Sequence, residues 1–235
     1  MMLTVEAGGS SVQAVQFIDQ NQAAIVPLAG HRTDQWLLAA PGLVVGNRIR
    51  GAHHLGWSDV QASEVLGMST PPILSTNDAA AAALGEWYLR GQPSGTWLYI
   101  GLGTGVGAVA IARSEVIPVE LSHLTGFGPK RCDGYGRVGC LDAQIGGHTL
   151  PAPLHANDIA VIVRDLAAAI EQQPIAIDNV VVGGGMARSY PSIASGLDTQ
   201  IGPTVYPSAC SGQYKSAAPF GLMYLWQWQN YLTAS

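Results

Sequence analysis

Short apolar runs broken by glycine, proline and polar turns make up most of the chain, with helical periodicity confined to a few stretches. Leu3–Ala7 and Val12–Ile18 read as two strands joined by Gly8-Gly9-Ser10, and Ala23–Leu28 supplies a third. Gln35–Ala40 is another strand-like run, closed by Pro41-Gly42. Ser58-Asp59-Val60-Gln61 carries a capping-box pattern, which predicts a helix from there to Gly67. Pro72–Thr76 reads as a buried strand, and the alanine-rich 79–90 as a helix ended by Gly91. Trp97–Leu102 enters Gly103-Thr104-Gly105-Val106-Gly107, and Ala108–Ala112 leaves it, so strand, glycine turn and strand recur. Asn157–Gln172 is amphipathic, with Ile159, Ile162, Val163, Leu166 and Ile170 on one face. Ile177–Val182 is a strand running into Gly183-Gly184-Gly185, with a short helix expected after it. Ala217–Tyr231 is a final apolar helix, whose aromatics are expected to pack as core between two lobes.

Composition sharpens this picture. With 235 residues, 48% hydrophobic and 11% charged, the chain can build a sizeable core as one large domain or two small lobes. A net charge of −5 and the lack of a Lys/Arg run argue against a nucleic-acid surface. Phe220–Trp228 is too short to span a bilayer, and the first residues lead directly into a strand, so a cytoplasmic protein with no membrane partner is expected. Three cysteines make no disulfide framework.

The candidate chemistry lies at five places. Asn77-Asp78 stands where a strand meets a helix, and free N–H groups with the helix dipole favour an ionised carboxylate there. Such an Asp can serve as a general base, or the pair can simply cap the helix. The turns at Gly8-Gly9-Ser10 and Gly103–Gly107 can present N–H groups to phosphate, or be ordinary hairpins. Glu120, His123, Cys132, Asp133, Cys140 and Asp142 gather in one polar stretch. His123, Cys132 and Cys140 suit zinc, with Asp133 or water as fourth ligand, and unmetallated thiols are the alternative. Gly183 and Gly184 let a flat ring or phosphate approach the backbone, or form a tight turn. His53-His54 reads as a surface or polar-contact pair.

Taken in order, these motifs resemble the bacterial ROK sugar kinases. Val5-Glu6-Ala7-Gly8-Gly9-Ser10 is similar to the first phosphate motif, Ala40-Pro41-Gly42 and Gly56-Trp57 to sugar-side loops, and Asn77-Asp78 with its alanines to the catalytic motif. Leu102–Gly107 resembles the second phosphate motif, and Val182-Gly183-Gly184-Gly185 the adenosine motif. Glu120-Leu121-Ser122-His123 with Gly136–Asp142 resembles the family signature and its zinc site. The resemblance implies an α/β, two-lobe actin-like fold with ribonuclease H-like lobes and the site in the cleft between them. Residues 1–93 would form the N-terminal lobe, with the 217–235 helix packing back at the hinge, and 94–216 the C-terminal lobe. It implies that ATP with Mg²⁺ phosphorylates a hexose or N-acetylhexosamine, with Asp78 as base. Gly42, Asn77, Glu120, His123 and Asp142 would hold the sugar; Gly8, Gly9, Ser10, Gly103, Thr104, Gly105, Gly183 and Gly184 would hold the nucleotide. A structural Zn²⁺ and a homodimer are also expected.

Several residues depart from the family pattern. Glu6 stands in place of the usual Asp, His53 in place of Asn, and Asp142 in place of Glu. Counting back from Cys140, two expected cysteines fall on Asp133 and Tyr135, with Cys132 one residue out of register. No room exists between Leu28 and Gln35 for the long helix expected before the Pro-Gly loop. These departures keep a rival open: a non-catalytic sugar- or nucleotide-binding relative acting as a sensor or partner protein.

Overall fold

Eight strands and two helices come first: Met2–Ala7 (β1), Val12–Phe17 (β2), Ala23–Val26 (β3), Trp36–Ala40 (β4), Leu43–Val45 (β5), Arg48–Ala52 (β6), Trp57–Gln61 (β7), Ala62–Leu66 (α1), Leu74–Asn77 (β8) and Asp78–Leu89 (α2). There follow Trp97–Leu102 (β9), Val106–Ala112 (β10), Glu115–Pro118 (β11), Leu141–Ile145 (α3), Ala156–Glu171 (α4), Asn179–Gly183 (β12), Gly185–Ser189 (α5), Ser192–Asp198 (α6), Thr204–Pro207 (β13) and Ala218–Ala234 (α7). The computed structural model describes every residue except Gln20, Asn21, Arg32, 133–135, Ser211 and Ser235. The chain divides into two compact units, Met1–Leu89 with Cys210–Ser235, and Arg90–Ala209.

The first unit is built on a mixed sheet in the order β3-β2-β1-β4-β8. β1 runs antiparallel to β2 and parallel to β4, and β8 lies parallel to β4. Every residue of β4 is buried, as expected for a strand covered on both faces. One face carries Leu3, Val5, Trp36 and Leu38 against Ile49, Ala52, Ala62 and Met68 from the β5-β6-β7 meander and α1. That meander covers the sheet where a long helix had no room in the sequence. The expected helix from Ser58 is therefore corrected: 57–61 is a strand, and only 62–66 is helical. Within this strand Asp59 pairs across the ladder with Arg48 at 2.6 Å, whose hydrogen bond pulls the carboxyl down to about 2.

Helices α2 and α7 pack together, and α7 also contacts β1 and β4. Their crossing is tight because Gly85 faces the Ala217 carbonyl and Gly221 faces the Ala81 carbonyl, so a methyl at either glycine would collide with backbone. The α7 aromatics were expected between lobes; Phe220 instead packs on Phe17 and Tyr214, and Tyr224 on Trp87 and Tyr88, all within the first unit.

The second unit repeats the plan. Its sheet runs β11-β10-β9-β12-β13, with the antiparallel pairs β9–β10 and β10–β11 and the parallel pairs β9–β12 and β12–β13. Strand directions match those of the first sheet position by position. Helix α4 buries Ile162, Val163, Leu166 and Ile170 in the core under this sheet. Each such side chain contributes about 1.5–3 kcal/mol of apolar burial. A capping box between His155 and Asp158 fixes the start of α4. Gln172-Gln173 ends it, just ahead of Pro174. No helix among the described residues is long and apolar enough to cross a membrane.

Candidate functional site

In the first unit, the joint of β8 and α2 carries Asn77 and Asp78. The Asn77 side chain takes the capping role: Oδ1 accepts the N–H groups of Ala79 and Ala80 at 2.9 and 3.3 Å. Its Nδ2 donates to the carbonyl oxygen of Gly42 at 3.1 Å, so the two predicted sugar-side residues are neighbours. Gly42 has φ +81°, and a side chain there would strike the Arg50 carbonyl, so the Pro-Gly loop requires glycine. With Asn77 capping, Asp78 Oδ1 accepts the Ala79 N–H at 2.9 Å. Burial pushes its carboxyl up to about 6, against the smaller lowering by backbone N–H groups. The helix-terminus argument for a firmly ionised Asp78 is therefore outweighed by desolvation.

The first glycine turn closes through Gly8 N–H to Ser11 O at 2.8 Å, while Gly9 and Ser10 N–H have no acceptor among the described residues. Glu6, at the end of β1, accepts the Ser216 hydroxyl at 2.7 Å, and Ser216 Oγ accepts Ala218 N–H at 3.0 Å. The carboxylate at the usual Asp position is thus tied to the start of α7.

The second glycine turn is held more firmly. Gly103 N–H donates to Gly105 O at 3.0 Å. Val106 N–H donates to Asp142 Oδ1 at 2.6 Å, and Val106 O accepts the Ser122 hydroxyl at 2.6 Å. Gly103 O accepts Gly147 N–H, and Thr104 O accepts both the backbone N–H and the Nδ1 of His148. What remains pointing away from protein acceptors, among the described residues, are the N–H groups of Thr104 and Gly105. A pair of adjacent free N–H groups at a rigid turn can hold an anionic oxygen. Sequence reading gave no role to Ser122, Gly147, His148 or Ser216, of which only Ser122 lies within a motif, the signature stretch.

Asp142 is buried and committed through one oxygen to Val106 N–H. Glu120 is well exposed and pairs with Arg137 at 3.3 Å. His123 is half-buried, and burial lowers its pKa, opposed by Asp142 and Glu120 and assisted by Arg137. Its Nδ1 lies 3.6 Å from Cys132 Sγ. Ligand atoms of His123, Cys132 and Cys140 all lie within 4.8 Å of one another. A bridge between Arg131 and Val138 folds the chain back so that Cys132 meets Cys140 despite its register. Both cysteines are buried, and burial pushes the Cys140 thiol up to about 11. A neutral imidazole beside two sulfurs is a donor set that fits zinc. Asp133, the suggested fourth ligand, lies outside the described residues.

Gly183 and Gly184 serve the fold at close quarters. Gly184 has φ +92° and presses on the backbone of Leu102, and a side chain on Gly183 would strike the Tyr99 ring. The short helix expected after them is α5. His53 and His54 are exposed, as read from sequence.

No protein-family model matches the chain. It is 34% identical over 119 residues to a glucokinase of Halalkalibacterium halodurans, a match covering 45% of this chain. The match spans only 35% of that curated relative. Among solved structures it is similar to a ROK family glucokinase from Streptomyces griseus in complex with glucose and AMPPNP, at TM-score 0.69 and 17% identity, covering 95% of this chain and 98% of that one. It is also similar to a ROK family transcriptional regulator, a homologue of the E. coli MLC protein, at TM-score 0.66 and 17% identity, covering 95% and 77% of the two chains. The chain has the fold of these ROK structures, the family that the order of its motifs resembles.

Proposed function

We propose that this chain is a ROK-type kinase transferring the terminal phosphoryl group of ATP to a hydroxyl of a hexose or N-acetylhexosamine. The observation that carries the reading is Asp78, a partly buried carboxylate at a strand–helix joint with its pKa pushed up to about 6. That value suits a general base near neutral pH, which must be ionised yet basic enough to accept a proton. Asp78 takes the proton of the attacking hydroxyl as that oxygen bonds to phosphorus and the bond to ADP breaks. Catalysis is otherwise positioning and charge stabilisation. Free N–H groups at Thr104 and Gly105, with those of Gly9 and Ser10, bind phosphate oxygens. Gly183 and Gly184 line the adenosine side. Asn77, Glu120, His123 and the second oxygen of Asp142 bind sugar hydroxyls, with Gly42 holding Asn77 in place. Mg²⁺ accompanies ATP and offsets phosphate charge. Zinc on His123, Cys132 and Cys140 would fix the loop that leads into Asp142 and set the orientation of His123.

A coupled ADP-release assay over a panel of hexoses and N-acetylhexosamines tests the reading. Sugar-dependent ADP release is expected; its absence with every sugar, by protein that still binds sugar, would favour the second reading. That reading is a non-catalytic sugar- or nucleotide-binding ROK relative. The engagement of Glu6 by Ser216 favours it, because this carboxylate is held by protein where the family pattern has the Asp of the first phosphate motif.

A further inference from the structure

The loop after α3 does more than follow the signature stretch. Its backbone and one side chain fasten the second glycine turn at consecutive carbonyls. Gly147 N–H donates to Gly103 O at 3.0 Å, and His148 N–H to Thr104 O at 2.9 Å. The His148 ring then approaches the same Thr104 oxygen, Nδ1 to O at 2.8 Å. A carbonyl cannot donate, so this bond requires a proton on Nδ1. Both lone pairs of Thr104 O are thereby used, and the peptide that it shares with Gly105 is fixed in orientation. The Gly105 N–H belongs to that peptide, and it is one of the two N–H groups in the turn without an acceptor among the described residues.

We infer that His148 is a positioning residue for phosphate binding: through Nδ1–H it holds the Thr104–Gly105 peptide with its N–H turned toward the anion. The carbonyl and N–H of one planar peptide point in opposite directions, so clamping the oxygen aims the hydrogen. Glycine at 105 would otherwise leave this peptide freer to rotate. Asp142 and Ser122 hold the next residue, Val106, in the same manner from the other flank. His148 does not touch the reacting atoms in this role. The inference rests on the reading of this turn as a phosphate site.

The test pairs binding with a direct observation of the proton. Calorimetric titration with ATP and with inorganic tripolyphosphate is run on the full chain and on His148→Ala, His148→Gln and His148→Asn. The Asn side chain places an N–H donor near the position of Nδ1, whereas Gln places one near Nε2. Loss of one neutral hydrogen bond corresponds to roughly three- to tenfold in affinity. His148→Ala and His148→Gln are therefore expected to weaken both phosphate ligands about that much, and His148→Asn to restore most of the loss. Sugar affinity should stay within about twofold throughout. In the unmodified protein, nitrogen-15 NMR of the imidazole should show the proton on Nδ1. If the neutral ring carries its proton on Nε2, or if His148→Ala binds ATP as tightly as the parent, the inference is overturned while the phosphate site stands. Parent protein that binds neither ATP nor tripolyphosphate would overturn the phosphate-site reading and this role together.

Discussion

Replacing Asp78 by Asn separates what this side chain does for chemistry from what it costs the fold. The amide is nearly the same size, and its oxygen can still accept the Ala79 N–H that Asp78 Oδ1 accepts at 2.9 Å. What is lost is a charge in a desolvated place. In the folded protein the carboxyl is raised from 3.8 to about 6, mainly by burial. The unfolded chain therefore ionises more readily than the folded one, and at neutral pH that difference opposes folding. Two to two and a half tenfold steps correspond to about 3 kcal/mol at most. Partial solvent access scales this to roughly 1.5 kcal/mol. For a chain of this size that is a rise of roughly 3–6 °C in Tm. The cost is absent below the unfolded value of 3.8, grows as pH rises, and is complete above about 6. Asp78→Asn should thus be more stable than the parent at pH 7.5 and equal to it near pH 4, in denaturant melts at both pH values. Turnover should fall by more than about a hundredfold, the scale of a general base, with sugar affinity within about tenfold. A variant that keeps most of its activity would remove Asp78 as base. A variant less stable than the parent at pH 7.5 would refute the desolvation argument.

The remaining expectations are briefer. In the parent, kcat/KM should rise with pH through a limb near 6 as Asp78 ionises, and a pH profile flat down to pH 5 would contradict the assignment. Glu120→Gln and His123→Ala should weaken sugar binding by at least about tenfold more than ATP binding, and calorimetry giving the reverse order would reject their placement on the sugar side. Protein purified without chelator should contain close to one zinc per chain if His123, Cys132 and Cys140 hold it; elemental analysis finding far less, in fully active protein, would discard the metal. Gly221→Ala should destabilise the first unit by about 1–3 kcal/mol through overpacking against the Ala81 carbonyl, read as a lower midpoint in urea.

The parts of the fold that were legible are those where one segment carries its own signal. Both glycine hairpins, the alanine-rich α2, the amphipathic α4 and the apolar α7 follow from residue type and period alone. The β5-β6-β7 meander was not legible, because its strands are short and half-polar. Ser58–Gln61 reads as a capping box along the sequence, but the partners that matter to this stretch, Arg48 and Arg50 for Asp59, lie across the ladder. Site residues divide along the same line. Asn77 and Asp78 stood out because a strand-to-helix joint is a local feature. Asp142 was read as a sugar ligand, yet one oxygen serves Val106, a bond across 36 positions that no spacing rule reveals. Cys132 falls out of register by counting, but its sulfur lies with that of Cys140 beside His123, next to the Arg131–Val138 bridge. Linear register is a poor guide wherever a loop brings its own ends together.

The route by which α7 completes the first unit has a consequence for biosynthesis. Residues Arg90–Ala209 form a continuous unit, able to close as soon as they have left the ribosome. The first unit is synthesised earlier but lacks its last helix, and Glu6 waits for Ser216, 210 positions later. Until then the buried faces of β1, β4 and α2 have no cover from α7. The order of maturation therefore runs against the order of translation, and the exposed apolar face of the early segment is the natural target for a chaperone during that interval.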